Sequence, residues 1–510
     1  MLQGRTLWEL MEQRVDATPD ALMAVDEDMR TVTFAEFWTE SERAAAGLLA
    51  QGVVPGSVVS WQLPTWIESW VLVAALSRLD AVQNPMLPIY REREVGFITS
   101  QARSSLLVVP SVWRGFDFEA MATEVAGGVE GMRVLVADRT LPQGDPGSLP
   151  PITAAADADE QSVRWLFYTS GTTADPKGAQ HTDASISAVA RGMGERLALH
   201  EGDRNALVFP FTHIGGITWL FASLQSGCSN ILMEGFHPQE TPEVLARENV
   251  TLAGSGTVFH QAYLAYQRSQ PQPVFPDVRG FPGGGAPKPP ALVAEMREVF
   301  DAPVLSGYGL TEAPILTMAS TDDTDDELAT SEGKPMPGVE LKLVTVEGVV
   351  AGPGEEGEIR AKAPQVMRGY LDASLDAAAF DEEGYFRTGD LGRIDERGNV
   401  VITGRLKDVI IRKGENVSAK EVEDLLYLHP AIADVAVIGL PDPDSGERVC
   451  AVVQLAEGAD GLAFEDMVAF LKGEGLMNQK LPEQLELVDL LPRNPAGKVL
   501  KHVLREQYAD

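Results

Sequence analysis

Helix-like and strand-like segments alternate along the N-terminal half of the sequence, and this alternation limits the possible fold more than any other feature. Phe34 to Gly52 has the apolar spacing of an amphipathic helix, Val58 to Leu63 reads as a strand, and Trp66 to Leu79 as a second helix. Arg91 to Ala102 and Leu106 to Pro110 repeat the order of helix and strand. Because such alternation is typical of parallel sheets covered by helices, the sequence predicts an α/β fold with stacked, helix-covered sheets.

The pattern changes after Gly338, where strand-like segments with glycine turns replace the alternation. These segments are Val339 to Val346, Gly357 to Ala363 and Gly398 to Thr403. They predict a small antiparallel or barrel-like subdomain over 338–404. A chain of 510 residues is too long for one hydrophobic core. We therefore expect a large N-terminal domain over 1–406 and a small α+β domain over 407–510.

Three other segments carry specific expectations. The longest apolar run, Ala206 to Leu224, is interrupted by Pro210 and Gly215, which favours a strand, a turn and a buried helix over a membrane span. Val250 to Gly254 reads as a strand. The polar, acidic stretch Thr321 to Glu332 reads as a mobile loop.

The chain is strongly acidic, with a formal net charge of −34. Such a charge argues against nucleic acid and against stable membrane insertion, and it means that any ATP or CoA site needs a local cluster of cations. The two cysteines, Cys228 and Cys450, argue against a disulfide framework or a cysteine metal site and fit a reducing cytoplasm. The N-terminus lacks the apolar core of a signal peptide.

One stretch, YTSGTTADPKG from Tyr168 to Gly178, has the composition of a polyphosphate-binding turn. Small residues let backbone N–H groups approach an anion, hydroxyls donate further hydrogen bonds, and the ammonium of Lys177 offsets charge. It is not a P-loop, because Lys177 is followed by Gly178 instead of Ser or Thr. A solvated Ser/Thr/Gly loop is the alternative that composition alone allows.

Further polar stretches follow in order: PFTHIGG at 210–216, YGLTE at 308–312, YFRTGD at 385–390, GRLKD at 404–408, KGEN at 413–416 and PRNPAGKVLK at 492–501. Together with YTSGTTADPKG, they resemble the adenylate-forming superfamily of acyl-CoA synthetases, luciferases and peptide-synthetase adenylation domains. The resemblance covers nearly the whole chain. With NPMLPIYREREV at 84–95 and VWRGFDF at 112–118, it is nearest to bacterial cyclohexanecarboxylate–CoA ligases and medium-chain acyl-CoA synthetases.

The resemblance implies a reaction in two steps. A carboxylate attacks the α-phosphate of MgATP to give an acyl-adenylate and pyrophosphate, and a thiol then displaces AMP. Both steps bring an anion to an anion-rich centre, so catalysis rests on positioning and fixed positive charge. The implied cofactors are ATP, Mg²⁺ and coenzyme A, and the implied substrate is a small carboxylic acid.

The residues that match the family's ATP site are Thr169, Ser170, Gly171, Thr172, Thr173, Lys177, Gly284, Gly285, Ala286, Tyr308, Gly309, Thr311, Asp390, Arg405 and Lys498. By the resemblance, Lys177 steadies the pyrophosphate and Tyr308 stacks on adenine. Asp390 and Arg405 hold the ribose hydroxyls. Ala174 stands where the family usually has Gly, which removes no hydrogen-bond donor.

The implied catalytic residues are Lys498, Thr311, Glu312 and His213. Lys498 contacts the carboxylate and the α-phosphate oxygen as charge develops, and Thr311 contacts the α-phosphate. Glu312 and Thr172 are the candidate ligands of Mg²⁺, a cation that prefers oxygen ligands. Taken one at a time, Glu312 and Asp390 could equally be surface acids, and His213 could be a buried, hydrogen-bonded core residue.

The candidate acyl and CoA residues are His213, Gly215, Trp219, Gly256, Gly283, Lys413, Gly414 and Glu415. For Trp219 core packing is the stronger reading. Lys407 occupies the family's hinge position, about which the small domain rotates between the two steps. No cation stands out that would pair with a second carboxylate, so a monocarboxylic acid is favoured. The resemblance to cyclohexanecarboxylate and medium-chain ligases implies an acid of medium-chain or alicyclic type.

The sequence thus predicts a cytoplasmic, ATP-dependent carboxylic acid–CoA ligase, with a homodimer left open as its assembly. One alternative shares the adenylation step but loads a carrier protein, although no carrier domain is evident in the chain. A second is a non-catalytic nucleotide-binding protein on the same fold, and a third is a luciferase-like oxygenase.

Overall fold

The computed structural model describes residues 1–152, 160–169, 175–284, 288–412, 415–443, 445–459, 461–493 and 499–509. The helices are α1 (Leu7–Ala17), α2 (Phe34–Ala50), α3 (Ile67–Arg78), α4 (Glu92–Gln101), α5 (Phe118–Gly128), α6 (Asp183–Arg196), α7 (Ile214–Ser226), α8 (Glu240–Arg247), α9 (Thr257–Arg268), α10 (Pro290–Phe300), α11 (Asp325–Thr330), α12 (Asp376–Ala379), α13 (Ala419–Leu426), α14 (Phe464–Gly473) and α15 (Lys501–Tyr508).

The strands are β1 (Leu22–Asp26), β2 (Thr31–Thr33), β3 (Val58–Trp61), β4 (Val82–Pro85), β5 (Leu106–Val109), β6 (Val112–Trp113), β7 (Phe116–Asp117), β8 (Arg133–Val136), β9 (Trp165–Thr169), β10 (Lys177–His181), β11 (Arg204–Leu207), β12 (Ser229–Leu232), β13 (Phe281–Gly284), β14 (Val304–Tyr308), β15 (Thr317–Met318), β16 (Lys334–Pro335), β17 (Glu340–Val344), β18 (Gly357–Lys362), β19 (Phe386–Ile394), β20 (Val400–Arg405), β21 (Val409–Arg412), β22 (Glu415–Ser418), β23 (Ile432–Asp442), β24 (Gly446–Leu455) and β25 (Gln484–Val488).

The helix predicted over Phe34 to Gly52 is α2, and its ends follow from local chemistry. Thr33 caps it by a reciprocal pair: its hydroxyl accepts from the backbone N–H of Glu36 (3.2 Å), and the Glu36 carboxylate accepts from the backbone N–H of Thr33 (2.9 Å). The chain leaves the helix at Gly52, whose φ of +84° is a left-handed conformation that suits glycine.

Helix-covered parallel sheets are present, as the alternation predicts. One sheet runs in the order β10–β9–β4–β3–β5–β8, with parallel pairs from β9 to β8 and β10 antiparallel at its edge. A second runs β11–β12–β1–β2 and a third β13–β14–β15–β16. Parallel strands β13 and β14 end side by side at Gly284 and Tyr308, so the residues after them share one edge.

The strand predicted over Val250 to Gly254 is wrong. Within this segment only Leu252 forms β-bridges, one with Asn205 on one side and one with Gly280 on the other. A Cβ at Gly254 would lie 2.5 Å from the carbonyl oxygen of Pro282. The segment therefore joins the second and third sheets through one residue, and Ser255 after it forms a separate bridge to Gly283 of β13.

The mobile loop predicted over Thr321 to Glu332 is also wrong, because the stretch contains helix α11. Thr324 and Glu327 form a capping box, in which the backbone N–H of each residue donates to the other side chain. Leu328 is buried on the inner face of the helix. The spacing Thr-x-x-Glu before Leu328 was the signal for this helix.

The apolar run Ala206 to Leu224 folds as predicted into the end of β11, a turn and the buried helix α7. No helix among the described residues is long and apolar enough to cross a membrane.

The β-rich segment predicted over 338–404 is an antiparallel sheet in the order β17–β18–β19–β20, packed on its own buried cluster that includes Ile359 and Phe386. Beyond it, β22–β21–β24–β23, with β25 on β24, carries α13 and α14. Val422, Val437 and Met467 belong to a core formed only by residues after Val409.

Both cysteines are free and buried, Cys228 before β12 and Cys450 within β24. Burial raises the pKa of each thiol to about 12, so neither carries appreciable thiolate at neutral pH.

Candidate active site

Tyr308, Asp390 and Arg405 form a hydrogen-bonded triad between neighbouring sheets. The Tyr308 hydroxyl donates to Oδ2 of Asp390 (2.8 Å), and Nε of Arg405 donates to Oδ1 of the same carboxylate (2.9 Å). The Asp390 side chain is only 5% exposed. Burial, and then the Asp390 charge, hold the pKa of Tyr308 well above its usual value, so the phenol stays protonated and donates.

Backbone register brings this triad together. Asp390 and Arg405 are direct partners across β19 and β20, and Tyr308 is the last residue of β14. Gly389, just before Asp390, has φ +70°, a conformation that a side chain would strain. The ladder shifts register between Leu391 and Gly392, so the bulge sets where Asp390 points.

A second group joins Lys177, Tyr370 and Glu312. The Tyr370 hydroxyl donates to Oε1 of Glu312 (2.8 Å), and the Lys177 ammonium lies over the Tyr370 ring, 5.5 Å from its centroid. Lys177 opens β10 opposite Thr169 in the β9–β10 hairpin. The phosphate-stretch cation and the predicted metal ligand therefore contact the same tyrosine.

The YGLTE turn that connects the two groups depends on a glycine. Leu310 and Ala313 exchange backbone hydrogen bonds of 3.0 and 3.2 Å across it. A Cβ at Gly309 would lie 2.2 Å from the backbone nitrogen of Ile315. The tight turn places Thr311 and Glu312 just beyond the end of β14.

His181 is a site residue that the sequence analysis missed. It is fully buried, and its Nε2 lies 2.8 Å from the carbonyl oxygen of Thr311. Burial lowers the pKa of His181 to about 4, so the ring is neutral, and Nε2 must carry its proton because a carbonyl can only accept. The available signal was spacing: His181 follows Lys177 by four positions on β10, and alternate residues of a strand share a face.

Glycines allow close contact between backbones at the ends of the third sheet. A Cβ at Gly284 would lie 2.3 Å from the carbonyl oxygen of Gly307, and one at Gly283 would lie 3.0 Å from the backbone nitrogen of Gly256. Gly256 itself has φ +153°. The predicted adenine and acyl-wall glycines thus form one layer beside Tyr308.

His213 and Gly215 lie at the start of α7, where Nδ1 of His213 accepts from the backbone N–H of Gly215 (3.1 Å). Burial lowers the pKa of His213, which favours the neutral ring. The ring meets Phe209 edge-on at 6.2 Å. Trp219 lies further along the helix, 6% exposed and packed in the main core, which agrees with the core-packing interpretation.

Lys407 lies in the 3₁₀ turn Leu406–Asp408, between β20 of the antiparallel sheet and β21 of the last sheet. Asp408 beside it accepts from Arg505 of α15 (2.8 Å). Burial alone would raise the pKa of Asp408, but the charges of Lys501 and Arg505 outweigh it and hold the pKa below its usual value. The predicted hinge is thus tied by an ion pair to the last helix.

Several predicted site residues lie outside the described residues: Ser170, Gly171, Thr172, Thr173, Gly285, Ala286, Lys413, Gly414 and Lys498. Glu415 opens β22. The residues flanking 494–498 are described, and Arg493 and Val499 form an antiparallel bridge. Arg493 also pairs with Asp434, whose other oxygen accepts from the Tyr427 hydroxyl (2.7 Å).

The structure allows a test of whether the described residues suit Mg²⁺. Among them, no cluster of three or more His, Cys, Asp or Glu side chains is arranged for a metal. Glu312 has no Lys or Arg partner among the described ion pairs, and its hydrogen bond from Tyr370 occupies Oε1. A single carboxylate with a free oxygen fits a cation that keeps several waters and binds with substrate phosphates.

Two family models match successive parts of the chain. A family model described as AMP-binding enzyme matches residues 11–371, and one described as AMP-binding enzyme C-terminal domain matches residues 421–498. ATP-bound MatB from Rhodopseudomonas palustris superimposes with a TM-score of 0.88 at 28% identity, covering 100% of this chain and 99% of that one. The expected fold of a large α/β domain followed by a small domain is confirmed.

Curated relatives span nearly the whole chain. A medium-chain fatty-acid–CoA ligase of Escherichia coli is 31% identical over 511 residues, which are 98% of this chain and 90% of the relative. A methyl-dioxo-octahydro-indenyl-propanoyl:CoA ligase of Rhodococcus jostii is 33% identical over 537 residues, with 98% and 100% covered. A salicyl-AMP ligase / salicyl-S-ArCP synthetase of Mycobacterium tuberculosis is 31% identical over 527 residues, with 99% and 91% covered. The chain therefore belongs to the AMP-binding enzyme family, the adenylate-forming, AMP-releasing acid–thiol ligases that the order of motifs predicts.

Proposed function

We propose that this enzyme is an ATP-dependent carboxylic acid–CoA ligase that works through an acyl-adenylate in the cytoplasm, where ATP and CoA are available. The observation that carries the proposal is the short distance along the chain between the two tyrosine-centred groups. Tyr308 binds the Asp390 carboxylate, and Glu312, four residues later, binds the tyrosine that packs on Lys177. The turn thus contacts, through Tyr308, an acid suited to two ribose hydroxyls, and it carries in Glu312 an acid suited to a phosphate-bound cation.

The nucleoside end of the site is the Tyr308–Asp390–Arg405 triad. Each oxygen of Asp390 accepts one hydrogen bond from the protein and keeps a lone pair for a ribose hydroxyl. The hydrogen bond to Asp390 also fixes the plane of the Tyr308 ring, on which we propose that adenine stacks. The glycine layer formed by Gly283 and Gly284 lets the neighbouring backbones approach closely beside Tyr308.

The phosphate end is formed by Lys177, Thr311 and Glu312. Mg²⁺, when bound, would offset negative charge on the phosphates, and Glu312 would hold it, with Thr172 as the second proposed ligand. Lys177 would bind the leaving pyrophosphate. Lys498 would neutralise charge on the α-phosphate and on the attacking carboxylate, as fixed positive charge must in such a reaction.

For the second step, we propose that rotation at Lys407 brings Lys413, Gly414 and Glu415 to the thiol path. The 3₁₀ turn between β20 and β21 is short, and a hinge needs only a few residues that absorb the change in dihedral angles. His213 and Gly215, at the N-terminus of α7, would line the path of the acid beside Gly256.

The proposed substrate is a medium-chain or alicyclic monocarboxylic acid. Two relatives act on a medium-chain fatty acid and on a ring-bearing propanoyl group, by their names. A carrier protein is the second candidate acceptor, because another relative is named as a synthetase of a salicyl-S-carrier protein.

The test is AMP release from ATP with a panel of acids, with and without CoA. The panel would run from acetate to long-chain fatty acids and include benzoate, cyclohexanecarboxylate and ring-bearing propanoates. We expect release that needs both CoA and a medium-chain or alicyclic acid. Release with a phosphopantetheinyl carrier but not with CoA would favour the carrier-loading function, and no release with any acid would contradict the ligase.

A matched pair of variants tests the proposed role of Lys498. Lys498→Ala should abolish adenylate formation while leaving the thiol step from added acyl-adenylate intact. Lys501→Ala is the matched control, because it removes a cation three residues later that pairs with Glu423. Full adenylation by Lys498→Ala would overturn the assignment.

A further inference from the structure

Tyr370 contacts a cation and an anion through different parts of its ring. Its hydroxyl donates to Oε1 of Glu312, and its face lies under the ammonium of Lys177. Within the described part of the chain, neither Lys177 nor Glu312 forms an ion pair, although both touch this side chain. The aromatic ring therefore contacts two opposite charges at once, the cation at its face and the anion at its hydroxyl.

The backbone around Tyr370 is fixed to the strand that carries Lys177. The backbone N–H of Leu371 donates to the carbonyl of Gly178 (2.7 Å), and the backbone N–H of Gln180 donates to the carbonyl of Gly369 (3.0 Å). The Gln180 side-chain amide donates to the carbonyl of Tyr370 (2.9 Å). Tyr370 is thus hydrogen-bonded along the edge of β10, and these bonds fix its position relative to Lys177.

The N–H side of Tyr370 is fixed as well. Its backbone N–H donates to Oδ1 of Asp376, the first residue of α12, at 2.8 Å. Tyr370 itself is 5% exposed and packs in the cluster with Ala179, Tyr308 and Phe386. A ring held on this many sides keeps one position, so its two polar contacts act together.

The chemistry of the phenol suits both contacts. A tyrosine hydroxyl is ordinarily protonated at neutral pH and can donate a hydrogen bond. The hydrogen bond occupies one oxygen of Glu312 and leaves the other for a cation. A single contact between a cation and an aromatic face is weak enough for phosphate to displace.

We propose that Tyr370 is a positioning residue that keeps Lys177 and Glu312 apart and orients both toward the metal–triphosphate. The proposal rests on the proposed function, because it takes Glu312 as the metal ligand and Lys177 as the phosphate ligand. It adds a residue outside the predicted site, and it explains why two opposite charges in one cluster stay available to a ligand.

The test compares the affinity for ATP with Mg²⁺ and with EDTA, by calorimetry, in Tyr370→Phe and Tyr370→Leu. Partners that orient a metal ligand typically account for roughly 10–100-fold in metal affinity. Tyr370→Phe keeps the ring and loses the hydroxyl, so we expect the preference for MgATP over free ATP to fall about tenfold and the affinity for free ATP to stay unchanged. Tyr370→Leu removes the separator, so Lys177 can pair with Glu312 and both affinities should fall.

Tyr385→Phe is the matched control. Its hydroxyl donates to Oε2 of Glu340 (3.3 Å), and Lys342 lies over its ring at 4.2 Å, so it repeats the lysine–tyrosine–glutamate arrangement on the antiparallel sheet outside the site. This variant should bind both nucleotide forms like the wild type. Thermal unfolding of each variant reports whether the fold is kept.

The outcomes separate the two proposals. A wild-type preference for MgATP in Tyr370→Phe, or an equal loss in Tyr385→Phe, would overturn the role of Tyr370. Adding Glu312→Gln to the Tyr370→Leu variant removes the charge that we expect to capture Lys177. Recovery of the affinity for free ATP in this double variant would support that capture. If the wild type binds MgATP but activates no acid, the ligase proposal fails while these binding results still decide the inference.

Discussion

The protein contains the same three side chains, tyrosine, aspartate and arginine, in two triads that serve different segments. In the first, Tyr308, Asp390 and Arg405 lie on strands of neighbouring sheets, and the Asp390 side chain is 5% exposed. In the second, Tyr427 and Arg493 hold Asp434, which is 16% exposed.

The two triads differ in the segment of the chain to which the arginine belongs. Arg405 is the last residue of β20 and faces Asp390 across a ladder, so its position follows from backbone register. Arg493 directly precedes 494–498, the segment that contains Lys498, and it also bridges to Val499 on the other side. The comparison indicates that the same three side chains fix the proposed nucleoside surface in one place and the residue before the segment with Lys498 in the other.

The largest effect should come from Asp390→Ala. The change removes two charged hydrogen bonds and leaves Tyr308 and Arg405 without their acceptor, and each such bond is worth about 1.5–3 kcal/mol. We expect kcat/KM for ATP in pyrophosphate exchange to fall roughly a thousandfold, mainly through KM. A loss below about tenfold would mean that the first triad does not bind the nucleoside.

Asp434→Ala, the equivalent change in the second triad, should act on a different parameter. The change removes the contact of Arg493 with Asp434, so we expect the segment with Lys498 to be less well positioned, while the proposed nucleoside surface is untouched. We expect kcat of adenylation to fall about tenfold, the usual scale for one misplaced catalytic group, with KM for ATP unchanged. A rise in KM equal to that of Asp390→Ala would break the distinction between the triads.

The surroundings of the first triad should show a specific dependence of stability on pH. The folded pKa of His181 is about 4, below the ordinary histidine value of 6.5. The unfolded chain therefore binds more protons between these values, and stability falls as pH drops from 6.5 toward 4, on the order of 1 kcal/mol per pH unit.

His181→Gln keeps a donor for the Thr311 carbonyl and cannot titrate. The free energy of unfolding of this variant should therefore depend less on pH than that of the wild type over the same window, as measured by denaturant titration. His200→Gln, at an exposed histidine, is the control. Identical slopes for wild type and His181→Gln would show that His181 is not held neutral.

The smallest effect should come from the hinge. The Arg505 side chain is 34% exposed, and exposed ion pairs contribute about 0–1 kcal/mol. Arg505→Gln should change the ratio of the adenylation and thiol-step rates by about two- to threefold, and high salt should bring the wild type to the same ratio. Lys480→Gln, which breaks the Lys480–Glu421 pair elsewhere in the C-terminal domain, should change neither.

Much of the fold could be predicted because it is written in local patterns. Alternation, glycine turns and capping residues act over a few positions, and the helices and most strands follow them. Val250 to Gly254 failed because a short apolar run does not reveal how many residues can pair on each side. Thr321 to Glu332 failed because its acidic composition outweighed a capping box that was visible in the sequence.

The residues of the candidate site likewise divide into those that local motifs predict and those that no local motif predicts. Lys177, Glu312 and Asp390 stand in motifs whose order carries information. Tyr370 and His181 do not stand in such motifs. Their contacts with the YGLTE turn join residues 58 and 130 positions apart. Such contacts depend on how β10 packs against two other elements, which no local pattern in the chain specifies.

The buried thiols make this protein convenient for optical measurement of domain rotation. With pKa values of about 12 and no exposed surface, Cys228 and Cys450 should not react with maleimide dyes at neutral pH. Cysteines introduced at two exposed positions, such as Asp28 in the large domain and Glu457 in the small one, could then be labelled without replacing either native thiol. Energy transfer between the dyes would test whether the two domains rotate about the proposed hinge during turnover, one molecule at a time.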